Sequence, residues 1–488
     1  MNLLLEDLAV EREAVKMRVD RLSSLPDDIL ILIISLLPLQ LAIATGALSR
    51  RWRGLWTNTT SIDIPLRYVD KLFNPDTTLK NTMRQITSPF IHTFSFDFVH
   101  TSFDLDYWAP CMDFIIRDVC NRNVHQLKVT WCNPSSWYIN FALPNVIFQT
   151  QSLVSIELGS KSGSFMRKDW QFPNDCDTIN LPNLKNLTVH FGPNYESIVK
   201  LIKACPSLEQ LSLNCWARNI HGSLQRRTFV INSPNLEYLA ISAPKYMPFS
   251  FEDDPIVLRE AKIEITDLPQ VRLDNDKLSR LYKAVSNVRI FTLDISAVDA
   301  LSTTVFRNVT RLTFNMRLSL YLKTLLSVLD MFPVVEFLTL KFCGVDNVKE
   351  QLLYGKPSNV RTSREAAIRR MKSINVEINN RRTYWKSAKS LTCVIMGLLR
   401  STCDLEHLNV SVNDCREWRL SNDVMCDQEQ ELNICEELYR YQRISTCDVQ
   451  FKGRFLNMSR NDGPKVTTTN GKVIYFLHSR KGFIHKEQ

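Results

Sequence analysis

LPNLKNLTV (Leu181–Val189), CPSLEQLSL (Cys205–Leu213), SPNLEYLAI (Ser233–Ile241), FPVVEFLTL (Phe332–Leu340) and TCDLEHLNV (Thr402–Val410) are five copies of one phrase. Each contains apolar-x-x-apolar-x-apolar, and most are led by a Pro or Cys. The alternation at the end of the phrase is that of a strand with one buried side. Weaker copies centre on Phe94, Leu127, Ile156, Ala261, Phe291 and Leu312. Together the centres fall at 94, 127, 156, 187, 211, 239, 261, 291, 312, 338 and 408. All intervals but the last lie between 21 and 33 residues, the spacing of leucine-rich repeats or slightly above it. The last is 70.

Segments ahead of several strands carry helical spacing: Tyr195–Cys205, Lys277–Val285, Leu320–Phe332 and Leu391–Cys403. A helix–strand unit this small cannot close its own core, so repetition predicts a stacked array. The fold class expected is α/β: a short helical N-terminal module, then an irregular leucine-rich-repeat solenoid with a curved parallel sheet. An ordinary α/β domain is the competing reading. It lacks the Gly-bearing phosphate turn of a doubly wound nucleotide fold, and with only 13 glycines in 488 residues the chain has few such turns to offer.

The repeats are preceded by DRLSSLPDDILILIISLLPLQLAIATGALSRRWRGLW, Asp20–Trp56. Ser24 can cap a helix, Pro26 suits its first turn, and Asp27 and Asp28 complement the positive end of its dipole. Ile29, Ile33, Leu36 and Leu37 recur at helical spacing, and Leu30 and Ile34 widen the stripe to most of the circumference. Pro38 should stop this helix. A second segment, about Leu41–Trp52, sets Ala42, Leu48 and Trp52 against Arg50, Arg51 and Arg53. Two or three short helices in about 40 residues cannot bury so much apolar surface internally. The module therefore calls for an outside protein partner. The apolar run Ile29–Ile43 is shorter than the ~20 residues a bilayer span needs and holds Pro38, which argues against a membrane segment.

Leu25-Pro26-Asp27-Asp28-Ile29-Leu30, Leu36-Leu37-Pro38, Leu48-Ser49-Arg50-Arg51-Trp52-Arg53 and Leu55-Trp56 resemble, in order and spacing, the F-box of plant F-box/leucine-rich-repeat proteins. The resemblance implies that Leu25, Pro26, Ile29, Leu30, Ile33, Leu37, Leu48 and Trp52 meet a Skp-type adaptor and, through it, a cullin. It also implies that the repeats hold an unknown target protein for ubiquitination. The chain departs from the family at Leu41, where an acidic residue is common, and at Ala44, where a basic one is. A binding module or decoy outside any ligase is the alternative that these departures keep open.

The division expected is an N-terminal extension (1–19), F-box (20–62), solenoid (63–347), basic insertion (348–390), last recognisable repeat (391–415) and degenerate C-terminal region (416–488). The insertion fills the 70-residue gap. It holds eleven Lys/Arg against three Glu, a local excess nearly equal to the +9 of the whole chain. Within it Arg361, Arg364, Arg369, Arg370, Lys372, Arg381 and Arg382 form a candidate patch for an anion or acidic partner. Stacking aromatics are sparse there, which disfavours nucleic acid. In the tail, Lys465–Leu477 predicts a hairpin around Asn470-Gly471.

Thirteen scattered cysteines show no C-x-x-C pair and no zinc-ligand spacing. They are expected as buried free thiols in a reducing compartment, cytoplasm or nucleus. Residues 1–20 carry five acidic side chains, Glu6, Asp7, Glu11 and Glu13 among them, and no cleavable apolar core, so no signal peptide is expected. No phosphate loop, nucleophile elbow or zinc-protease motif is present, and the eight histidines are dispersed. No cofactor, metal or catalytic residue is expected; an enzyme assembled from polar residues of distant repeats is the remaining alternative.

Overall fold

A computed structural model describes residues 22, 24–65, 75–99, 105–132, 143–160, 179–191, 195–215, 228–244, 247–253, 257–266, 275–294, 301, 304–317, 325, 328–344, 370–378, 395–399, 402, 405–412, 424–453, 455–459, 465–468, 473–479 and 482–487. The chain forms two compact units, Met1–Ser207 and Leu208–Gln488.

In the first unit, helices α1 (Asp27–Ser35) and α2 (Leu39–Ala44) lead through 3-10 turns at Thr45–Ala47 and Trp52–Asn58 to strand β1 (Ser61–Ile64). Then follow α3 (Pro75–Gln85), β2 (Thr93–Val99), α4 (Leu105–Asn121), β3 (Gln126–Cys132), β4 (Ser155–Ser160), β5 (Asn186–Phe191) and α5 (Glu196–Lys203). Strands β1 to β5 pair in parallel, each with the next. The register runs Ile62, Phe94, Leu127, Ile156, Leu187, and every one of these is at most 1% exposed. The four residues picked by spacing alone, Phe94, Leu127, Ile156 and Leu187, are thus stacked with Ile62 in one buried column, each worth about 1.5–3 kcal/mol of burial.

The second unit continues the same device. Strands β6 (Gln210–Cys215), β8 (Tyr238–Pro244), β10 (Glu260–Thr266), β11 (Ile290–Asp294), β12 (Arg311–Arg317), β13 (Phe337–Gly344), β14 (Ser373–Ile378), β15 (His407–Val412) and β16 (Asp448–Lys452) form a parallel ladder. Short strands β7 (Phe229–Ile231) and β9 (Phe249–Phe251) pair separately, and helix α6 (Asn275–Ala284) precedes β11. The buried column is Leu211, Leu239, Ala261, Phe291, Leu312, Leu338, Ile374, Leu408, Val449. From Phe291 of this column a stack continues through Phe306 to Phe332, at 4.9 and 4.7 Å between ring centroids. Such pairs add about 0.5–1.5 kcal/mol each beyond area burial.

The array is longer than the sequence phrase revealed. Strand β14 lies inside 348–390, so that range contributes a repeat strand and is not purely an insertion. The gap of 70 becomes steps of 36 and 34, from Leu338 to Ile374 to Leu408. Met371, Ile374 and Val376 carry the phrase there and are buried, but neighbouring charge obscures them in the sequence. Ahead of β1 and of β16 a threonine replaces the first apolar residue: Thr59 before Ile62, and Thr446 before Val449.

The described residues after 415 also form regular elements. Helix α7 (Val424–Ile444) precedes β16, which is followed by antiparallel β17 (Leu456–Met458), β18 (Lys465–Thr468), β19 (Val473–Ser479) and β20 (Gly482–Glu487). The hairpin expected over Lys465–Leu477 is the β18–β19 pair; Asn470 and Gly471 lie outside the described residues. Glu431 of α7 is fully buried and accepts the backbone N–H groups of Phe455 (2.9 Å) and Leu456 (3.0 Å). A Cβ at Gly453 would lie 2.3 Å from the same carboxylate. Helix and turn are therefore fitted to each other, with a carboxylate satisfying two donors that would otherwise be buried unpaired.

Candidate protein-docking surface

Helix α1 is apolar almost all round, and its two faces have different fates. Leu30 and Ile34, one turn apart, are 0% exposed and face the interior with Ser35. Ile29, Leu32 and Leu36 follow at i, i+3 and i+7 and are 42, 59 and 84% exposed, a stripe along the other side. Leu22, Leu41 and Leu48 are also exposed. Six of the nine exposed large apolar side chains among the described residues thus lie between 22 and 48. Scattered singles are ordinary on a surface; a concentration like this one marks an interaction site.

The stripe is held rigidly. Trp52, Leu55 and Trp56 from the second 3-10 turn are buried, with Leu39 and Ala42 of α2. The Ser35 hydroxyl donates to Ile31 O (2.8 Å) and lies 2.9 Å from the Thr59 hydroxyl, which donates to Ser61 O. The end of α1 is thereby tied to the start of β1. At its beginning, Arg51 donates Nε and Nη2 to Asp27 Oδ1 (2.8 and 2.6 Å) and Nη2 to Leu25 O (2.6 Å). An exposed ion pair adds little to stability, but this one fixes the entry to α1 against the Arg51–Trp52 segment.

Of the eight residues expected to meet an adaptor, Pro26, Ile29 and Leu48 are exposed, and Leu25, Ile33 and Leu37 are half-buried. Leu30 and Trp52, at 0 and 2% exposure, lie in the core of the module behind the stripe. Leu32, Leu36 and Leu41 present more surface than most of the residues named from the sequence. Helical spacing alone could not choose between two apolar faces. Pro26, expected in the first turn of α1, occupies its N-cap position, without a side-chain cap of its own. The helix ends at Ser35, with Leu36 its C-cap, and Pro38 opens α2 instead of stopping α1. The second segment is broken: α2 ends at Ala44 and two 3-10 turns follow.

Of the basic patch, Arg370 and Lys372 are described and exposed, and Lys372 Nζ is 3.1 Å from Glu336. Arg361, Arg364, Arg369, Arg381 and Arg382 lie outside the described residues.

The outward sheet face of each unit is polar. In the second unit it carries the row Thr292, Thr313, Thr339, Asn375, Asn409, Gln450, with Asn409 donating to Asn375 at 3.0 Å. Beside this row the Arg311 guanidinium lies 4.5 Å over the Phe337 ring. Arg and aromatic side chains of this kind are enriched where proteins dock. Among the described residues no group of three His, Cys, Asp or Glu is arranged to hold a metal. No described helix is long and apolar enough to cross a membrane.

Comparison with known families agrees with this architecture. The F-box domain matches residues 22–61. The family described as "FBD-associated F-box protein At5g56370, LRR repeats" matches residues 112–340. The F-box/FBD/LRR-repeat protein At2g04230 of Arabidopsis thaliana is 30% identical over 280 residues, covering 51% of this chain and 58% of that protein. The F-box/FBD/LRR-repeat protein At5g22660 of the same plant is 26% identical over 482 residues, covering 88% of this chain and 96% of that protein. For several curated relatives the span is less than two thirds of their length, with 38, 63 and 58% for three of them.

Proposed function

Because the chain is an F-box/leucine-rich-repeat protein of the plant type, we propose that it is the target-holding adaptor of a Skp–cullin–F-box ubiquitin ligase. The apolar stripe Ile29, Leu32, Leu36, continued by Leu41 and Leu48, docks the Skp-type adaptor, and the outward sheet faces of the repeats hold a target protein. Such an adaptor performs no chemistry; it raises the effective concentration of the target beside the transferring subunits. The observation that carries the proposal is the concentration of exposed leucine and isoleucine on a module whose own core is already filled by Leu30, Ile34, Trp52 and Trp56. A family departure, Leu41, is 49% exposed and extends this apolar surface.

The described cysteines Cys111, Cys120, Cys205, Cys215, Cys435 and Cys447 are buried free thiols, which suits a reducing compartment, cytoplasm or nucleus. The test is co-purification of the full chain with a Skp-type adaptor. The wild type should retain the adaptor and an Ile29→Asp, Leu36→Asp variant should lose it. A wild type that fails to bind, or a variant that binds equally well, removes the ligase role and leaves the decoy reading.

A further inference from the structure

The backbone entering the strands of the first unit is fixed rung by rung. His92 N–H donates to Thr60 O (2.7 Å), His125 N–H to His92 O (3.1 Å) and Val154 N–H to His125 O (2.8 Å). Two consecutive rungs thus carry imidazoles, and both His92 and His125 are exposed. Their ring centroids stand 5.0 Å apart, with the planes tilted by 35°. Among the described residues neither imidazole has a hydrogen-bond or ion-pair partner. Thr60 and Val154, on the rungs to either side, carry no charge.

Two solvent-facing imidazoles side by side are a ligand pair suited to zinc, copper or nickel. The spacing decides whether one ion can engage both. An imidazole nitrogen binds zinc at about 2.1 Å and the ring centroid lies about 1.1 Å behind it, so each centroid would stand about 3.2 Å from a shared ion. Centroids 5.0 Å apart then subtend about 103° at that ion. This lies between the ~90° of a square or octahedral shell and the ~109° of a tetrahedral one. The tilt does not oppose sharing, because each ring turns about its own metal–nitrogen axis. The strand-entry hydrogen bonds hold both backbones before an ion arrives, so binding has only two side chains to order.

We propose that His92 and His125 together form a site for a divalent transition-metal ion of the zinc type, which clamps the entry of β2 to that of β3. A pair falls short of the three side chains that a catalytic zinc site brings, so water fills the remaining positions and the ion exchanges with solvent.

The test is a calorimetric titration of the purified full chain with zinc chloride, and with magnesium chloride as the control that prefers oxygen ligands. It compares the wild type with His92→Gln, His125→Gln and the double variant. The two side chains are exposed, so the four metal-free proteins should melt alike. Either single variant should weaken the site by about 100-fold, the lower end of what two linked contacts gain over one, and the double variant should lose no more than a single one. Imidazoles acting separately would instead each give up one weak site at unchanged affinity. Zinc held by thiols is common to all four proteins and subtracts out. Histidine-selective nitrogen spectra give the same reading without a variant: zinc should move two of the eight ring signals together. Zinc affinity unchanged in both single variants, additive loss of two independent sites, an equal response to magnesium, or ring signals that stay in place overturns the proposal. No adaptor or target takes part in the titration, so the result stands whatever co-purification shows.

Discussion

Truncating both Leu32 and Leu36 to Ala should abolish adaptor docking and leave the fold intact. Each change removes three carbons, worth about 2.4 kcal/mol when the side chain passes fully from water into an apolar contact. In the free chain Leu36 is 84% and Leu32 59% exposed. The fraction still to be gained on docking is therefore about 2 kcal/mol for Leu36 and about 1.4 kcal/mol for Leu32. The sum of about 3.4 kcal/mol corresponds to an affinity loss of about 300-fold. Calorimetric or interferometric titration with a Skp-type adaptor reads the affinity, and thermal melting reads the fold. Leu30→Ala supplies the contrast: at 0% exposure it should cost about 2–5 kcal/mol of stability. Its effect on docking should appear only through unfolding. Adaptor affinity within about threefold of wild type for the double variant, against the tenfold that each 1.4 kcal/mol represents, refutes the placement of the docking face.

Gly159→Ala should destabilise the first unit by more than about 2 kcal/mol, because its Cβ would strike the His190 carbonyl at a φ that L-residues rarely adopt; a urea midpoint near wild type would show that the strands can part there. Glu431→Ala should leave the N–H groups of Phe455 and Leu456 buried and unpaired, costing about 2–4 kcal/mol, with faster amide exchange at those two residues as the signature. Burial pushes the thiols of Cys120 and Cys205 up to about 11 and about 12, so neither should react with iodoacetamide at neutral pH in the folded chain. Because folding raises these values, the stability they contribute is complete below the unfolded thiol value near 9 and declines as pH rises from there through 11 to 12. A pH series of denaturant midpoints that stays flat over that range would contradict it.

The sheet register could be read from the chain before any coordinates. Phe94, Leu127, Ile156 and Leu187, and likewise Leu211 through Leu338, pair with one another as their spacing implies. A parallel ladder of repeats demands one buried apolar residue at the same point of every strand, and that periodic demand is local and visible. Ile62, Ile374 and Val449 escaped because threonine or neighbouring charge disguised the phrase; pairing with adjacent strands identified them.

The F-box-like stretch was also legible as an apolar module needing a partner, since the excess of leucine and isoleucine is a property of composition and length. Which of its apolar residues serve the interior and which the partner was not. Leu30 and Leu32 are chemically identical and two positions apart, and only the packing of α1 over Trp52 and Trp56 turns the first inward and the second out. The same holds for His92 and His125: two residues 33 positions apart become neighbours only when strands stack in register. The sequence alone determined the period and the need for partners; the tertiary structure decided the faces, because burial depends on what lies opposite a side chain and not on what precedes it.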